Sequence, residues 1–248
     1  MTVLVTRPEP DNETTATALR AKGHEVLLSP MLRFEAVTFE IDPDTRYGAV
    51  IVTSANALRA LVGHPARESL TALPVFAVGR HTADVARQTG FHDVTAAGGD
   101  AASLRDLMTK GGRTKSLPKS RPLLYLAGAD LSHDLAGELS ERGFEVVTAT
   151  SYRMAPVADL TQEACDAFAA HRIAAVLHYS RRSARAFLDA ARTGGVEISA
   201  LAVPQCCLSD AVATVLREAG APHVAVAAVP DESTLFDVLD RALQPLSR

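Results

Sequence analysis

The sequence predicts an α/β protein built from two similar doubly wound parallel-sheet domains, one of them discontinuous, joined by a two-stranded linker. Three observations lead there. Short apolar runs rich in Val, Leu and Ala alternate with alanine-rich helical patterns along the 248 residues, as they do in successive βα units. Ten such runs exceed one ordinary doubly wound sheet. The blocks also repeat, with the second copy circularly permuted, so the chain holds two related units.

Strands are expected near 3–6, 25–29, 49–53, 75–78, 94–97, 123–127, 144–149, 174–179, 203–208 and 223–228. Helix starts fall at Asp11 after Pro8 and Pro10, at Ser54, at Ser132 and at Asp231 after Pro230, where a short side-chain oxygen can accept the free amides of a first turn. Gly23, Gly90, Gly143 and Gly220 follow helices as C-terminal caps. The repeat pairs Ser54 with Ser180, Gly90 with Gly220 and Asp100 with Asp231. The stretch from Val3 matches the stretch from Leu123, pairing Gly23 with Gly143 and Arg33 with Arg153. The first βαβ unit therefore belongs with the C-terminal third. Residues 1–36 and 155–248 are expected to form the discontinuous domain and 39–150 the inserted one. The crossings at 33–38 and 150–156 each carry an aromatic residue and an Arg in an extended pattern, and are expected as two antiparallel strands forming a hinge beside an interdomain cleft.

Composition narrows the function classes. With 25 basic against 29 acidic side chains, a net charge of −4 and no Trp, the bulk charge offers no footprint for nucleic acid or anionic lipid. No run approaches the roughly 18–20 apolar residues of a membrane span, and MTVLVTRPEP lacks the features of a secretory signal, so a cytoplasmic protein is expected. Cys165, Cys206 and Cys207 match no metal-ligand spacing and read as buried thiols, with no metal implied. GxGxxG, GxxxxGK[ST] and GxSxG are all missing, which removes the usual support for dinucleotide binding, P-loop hydrolysis and a nucleophile elbow.

What the strand ends share is small polar and basic character: Thr6-Arg7, Thr53-Ser54, Gly79 to Thr82, Gly128, Ser180 to Arg182 and Ser209. Open α/β sheets bind ligands at these carboxyl ends, and helix N-termini there offer unpaired amides to carboxylates or phosphates. Each hydroxyl taken alone also reads as an ordinary helix cap. Gly98-Gly99-Asp100 reads as a tight loop, and His178 as a strand residue rather than a site group.

VLVTRP, YGAVIVTSANAL, PVFAVGRHTA, LLYLAG, GFEVVTATSYR, VLHYSRRSA and VAAVPDESTLFDVL, in that order, give the whole chain a resemblance to the uroporphyrinogen-III synthases. The resemblance implies a monomeric, cofactor-free lyase of tetrapyrrole biosynthesis with a flavodoxin-like discontinuous domain. Its substrate would be the linear hydroxymethylbilane, cyclised with loss of water and inversion of ring D through a spiro intermediate. The bilane closes unaided without inversion, so the implied task is to make the hindered carbon the near-attack atom. Tyr152 matches the family's candidate proton donor, and a phenol carries its proton at neutral pH. Thr53, Ser54, Gly79 and Thr82 match binding positions, with Arg7, Ser180, Ser183 and Ser209 carried over beside them. Leu208-Ser209-Asp210 departs from the family's Gly-Pro turn followed by Thr, placing a negative charge near an anionic substrate. Scarce aromatics suggest a tetrapyrrole held by its carboxylate rim. The expected partners are this small molecule and, transiently, the preceding pathway enzyme. The competing class is a non-catalytic two-domain module that binds or senses a small anion.

Overall fold

The computed structural model describes residues 1–110, 120–131 and 133–244; the expected helix start at Ser132 lies outside them. The central strands β1 (Thr2–Val5), β4 (Ala49–Val52), β7 (Leu123–Gly128) and β9 (Ile173–His178) are almost wholly buried runs without polar alternation, as parallel strands covered on both faces require. Around them lie β2 (Glu25–Leu28), β3 (Leu32–Ala36), β5 (Val75–Ala77), β6 (Val94–Ala96), β8 (Val146–Pro156), β10 (Gln205–Cys207) and β11 (Val224–Val226). Helices fill the connections: α1 (Asp11–Ala21), α2 (Ala55–Leu61), α3 (Arg67–Thr71), α4 (Arg80–Thr89), α5 (Ala101–Lys110), α6 (Leu135–Ser140), α7 (Gln162–Ala169), α8 (Arg181–Thr193), α9 (Glu197–Ala202), α10 (Asp210–Glu218) and α11 (Glu232–Ala242).

The chain divides into two units, Met1–Arg33 with Ala155–Arg248 and Phe34–Met154. In the first, the strands run in the order β2-β1-β9-β10-β11, all neighbours parallel. Taken along the chain this is 2-1-3-4-5, the flavodoxin-like order. The second unit has β3-β8-β7-β4-β5-β6. Counted from β7, its five parallel strands run in the same 2-1-3-4-5 order. The permutation legible in the repeat is thus present in the topology. The remaining strand, β3, lies beside β8, and the bonds Val37 N–H to Ser151 C=O and Val157 N–H to Met31 C=O run through the pair in opposite senses.

Alternation sends successive side chains to opposite faces. In the first unit Leu4, Val176 and Cys207 meet Phe168, Phe187 and Leu216, while Val3, Leu177 and Cys206 meet Leu19, Leu235 and Leu239. The adjacent thiols are therefore buried on the two sides of one strand. In the second unit Val50, Val52 and Leu124 meet Leu58, Leu61 and Ala86, and Ile51 and Tyr125 meet Leu104, Met108 and Leu139.

Ser54 and Asp231 cap their helices as expected, through Asn56 N–H at 3.2 Å and Thr234 N–H at 2.8 Å. Asp11 does not. Pro10 occupies the cap position and has no side-chain acceptor; Asp11 is the first helical residue and turns its carboxylate to Arg7 at 3.1 Å. The strand expected at 144–149 extends to Pro156, because it continues into the crossing segment where β3 supplies its partner. Gly23, Gly90, Gly143 and Gly220 all take positive φ, between 84° and 112°, the left-handed turn that ends a helix where a Cβ would be strained.

Candidate functional site

Carboxyl ends of β4 and β7 in the second unit open onto a cavity of about 370 Å³ lined by Thr53, Ser54, Asp100, Tyr125, Gly128, Asp130, His133 and Tyr152, among others. A larger cavity, about 860 Å³, lies at the opposite ends of these strands, against Tyr47, Leu73 and Arg121, where open α/β sheets do not present ligand-binding turns.

Tyr152 reaches the smaller cavity through an irregularity of the ladder. Along β8, Ala127 faces Thr150 but Gly128 faces Tyr152, so Ser151 is an extra residue, a bulge that re-aims the next side chain. The bulge is held from both sides. Ser151 Oγ–H donates to Ala127 C=O at 3.2 Å, Val37 N–H to Ser151 C=O at 2.8 Å, and Ala129 N–H to Tyr152 C=O at 2.8 Å. The Tyr152 ring stacks on Phe34, centroids 6.0 Å apart, and lies over the backbone of Gly128. A Cβ at Gly128 would stand 2.7 Å from Tyr152 Cζ and 2.8 Å from its hydroxyl, so only glycine admits the phenol there.

Thr53 follows the last residue of the adjacent strand β4, its hydroxyl 2.9 Å from the Tyr125 hydroxyl. Burial pushes the Tyr125 phenol up, so it stays protonated and pairs with the threonine as a neutral group. Ser54 both lines the cavity and caps α2. The Gly98-Gly99-Asp100 loop forms part of the wall, and Asp100 is held below the usual carboxylate range by the amide and hydroxyl of Ser103. No Lys or Arg is among the described lining residues. The positive character expected of an anion site is therefore not supplied by lysine or arginine among the described lining residues; His133, which also lines the cavity, lies 2.6 Å from Glu138.

Gly79 and Thr82 are not among the lining residues. Gly79 is the cap position of α4, packed so closely on Gly99 that a Cβ would lie 3.1 Å from its Cα. Thr82 is buried in the first turn of α4.

The first unit carries the other expected residues at the equivalent strand ends. Ser180 caps α8, accepting from Ser183 N–H at 3.1 Å, and the Ser183 hydroxyl bonds back to Ser180 C=O at 3.0 Å; both hydroxyls serve the helix start. Ser209 occupies the cap position of α10 but makes no side-chain cap bond. Arg7 bridges Asp11 and Glu232 at 3.1 and 2.9 Å and covers the Tyr179 ring at 4.8 Å. His178 is a core group: its Nε2 meets Gln205 Oε1 at 2.8 Å, its ring packs edge-on against Phe187, and its Nδ1 is buried with no partner. Gly128 was expected only as one of the polar or small strand-end residues, and Tyr125 was not among the expected site residues. A lone Tyr in the aliphatic strand LLYLAG was the available signal, since a buried phenol needs a hydrogen-bond partner.

The family model described as uroporphyrinogen-III synthase HemD matches residues 13–237. The chain belongs to the uroporphyrinogen-III synthase family. With that membership comes its reaction class, a cyclising lyase of porphyrin biosynthesis. The fold agrees with solved structures of that name. The enzyme from Helicobacter pylori superposes with a TM-score of 0.65 at 20% identity, covering 98% of this chain and 99% of that one. A mutant of the Thermus thermophilus enzyme superposes with a TM-score of 0.53 at 19% identity over 98% and 99%. No curated protein sequence matches.

Proposed function

We propose that this member of the family acts on hydroxymethylbilane, and that Tyr152 is its proton donor. The observation that carries the reading is the bulge at Ser151, which, with Gly128, fixes a phenol in a cavity also lined by the hydroxyls of Thr53, Ser54 and Tyr125 and by Asp100, Asp130 and His133. The phenol O–H donates to the departing hydroxyl of the bilane, which leaves as water with the bonding electron pair. The azafulvene cation so formed is attacked by the substituted carbon of ring D, and the spiro intermediate fragments and recloses with that ring inverted. A cation forms at the reacting carbon while carboxylates remain at the rim. The charge of Asp100 and the lack of Lys or Arg among the described lining residues suit the former, through electrostatic stabilisation of developing charge.

Thr53, fixed by Tyr125, and Ser54 bind the substrate beside Tyr152; Gly79 lets the Gly99 loop approach, and Thr82 supports the first turn of α4. On the first unit, Arg7 and Ser209 are the proposed contacts, with Ser180 and Ser183 presenting the N-terminus of α8. The cavity is too small for a whole tetrapyrrole and takes its reacting end. We further propose a monomer working in the cytoplasm, in transient contact with the enzyme that supplies the bilane. No described helix is long and apolar enough to cross a membrane.

The test is incubation with fresh hydroxymethylbilane and separation of the product isomers. Type III product is expected; only type I at the uncatalysed rate would overturn the reading. Tyr152→Phe is expected to lower turnover about 10²-fold or more, and unchanged turnover in the folded variant would remove the phenol from the proton-donor role.

A further inference from the structure

At the carboxyl ends of β1 and β9, Glu232 Oε1 accepts three hydrogen bonds: from Arg7 Nη1 at 2.9 Å, Thr15 Oγ1 at 2.5 Å and Tyr179 OH at 2.9 Å. Arg7 is in turn fixed by its Nη2 bond to Asp11 at 3.1 Å, by Nη1 against Thr15 Oγ1 at 3.3 Å and by the face of Tyr179. A guanidinium and two hydroxyls converging on one oxygen make a carboxylate receptor of charge-assisted and neutral donors. Burial pushes the Tyr179 phenol up, so it stays a neutral donor. Solvent reaches the cluster, since the Arg7 and Glu232 side chains are 27% and 31% exposed.

We propose that Arg7, Thr15 and Tyr179 form a receptor for a substrate carboxylate, and that Glu232 is a built-in stand-in which the ligand's carboxylate displaces. The inference rests on the polycarboxylate substrate of the proposed function. Glu232 is suited to leaving. It is the first residue of α11, whose own cap is Asp231, so the helix start persists when the glutamate swings out. There the amino end of the helix still favours its charge in water. The incoming carboxylate takes over the same three donors, so the exchange conserves hydrogen bonds. It also answers the charge problem of a receptor arginine already paired: the pairing is a competition, and the apparent affinity is the intrinsic one reduced by the fraction of receptor left open.

The test uses Glu232→Ala and, because alanine could disturb folding, Glu232→Gln, which keeps the shape and removes the charge. Thermal unfolding is followed in sodium acetate against sodium chloride at equal ionic strength. Acetate is expected to raise the melting temperature of either variant by several degrees, through binding the folded state alone, and to leave the wild type and Glu232→Ala/Arg7→Leu unmoved. Equal response of wild type and variants, or no response in either variant, overturns the receptor. In the kinetic arm, the KM for hydroxymethylbilane in Glu232→Gln is expected to fall about threefold or more as the competitor is lost. A KM that rises or stays the same makes Glu232 a structural tie and overturns its role as stand-in. Should the wild type form no type III product, the proposed function fails while the acetate arm still decides the receptor.

Discussion

Acid should weaken this fold through one imidazole. His178 is wholly buried, with only Gln205 Oε1 to bond and Nδ1 facing no partner, and burial pushes its pKa down from 6.5 to about 4. The Gln205 side chain is oriented by its own amide: its Nε2 gives both hydrogens to the Ala200 and Val203 carbonyls at 2.8 Å, so its Oε1 is fixed as acceptor and His178 Nε2 carries the proton. The unfolded chain takes up a proton near pH 6.5 and the folded chain only near 4, so between these values the unfolded state holds more protons and stability falls as pH falls. At about 1.4 kcal/mol per pH unit, the full loss is about 3 kcal/mol, of which about 2 kcal/mol has appeared at pH 5 relative to pH 7. Urea unfolding of wild type and His178→Gln at both pH values isolates the effect. Half-buried carboxylates held below their usual range, among them Asp106, Glu138 and Asp240, are common to both proteins and cancel in the difference. The wild type should lose about 2 kcal/mol more than the variant on going to pH 5. Equal losses would refute the claim that His178 is held neutral by burial.

Gly128→Ala should lower kcat/KM about 10²-fold by pushing the Tyr152 ring off its place, the scale of a misplacement near 1 Å. The same change in a Tyr152→Ala background should cost nothing further, and an equal loss in both backgrounds would show that Gly128 acts otherwise. Burial pushes the Cys206 and Cys207 thiols up to about 12, whereas Cys165 is half-buried. A thiolate-directed reagent should therefore find at most one of the three thiols in the native protein and all three in denaturant; two or more reacting natively would contradict this packing.

The sequence by itself determined the alternation of strands and helices, the two parallel sheets and the permuted order, because these follow from local signals. Continuous apolar runs mark strands covered on both faces, and Gly23, Gly90, Gly143 and Gly220 mark left-handed turns that only a residue without Cβ takes freely. Ser54 and Asp231 were legible as caps because a cap is made with amides two or three residues away. Asp11 was misplaced for a reason outside that range: Arg7, itself drawn toward Glu232 some 225 residues along the chain, is the partner its carboxylate serves.

The tertiary structure alone decided how the site is aimed. Nothing local in TATSYRM shows that Ser151 is an extra residue, since a bulge exists only relative to the register of β7. The space that admits the Tyr152 ring is the missing side chain of Gly128, 24 positions away in sequence and adjacent only across the ladder. Arg7 likewise could be read as a cation at a strand end, but whether it meets solvent, a ligand or a carboxylate of the same chain depends on where α11 begins against β1 and β9. Residue type and spacing fix what a segment becomes; which groups face one another across sheets is fixed by register and packing, to which no single segment holds the answer.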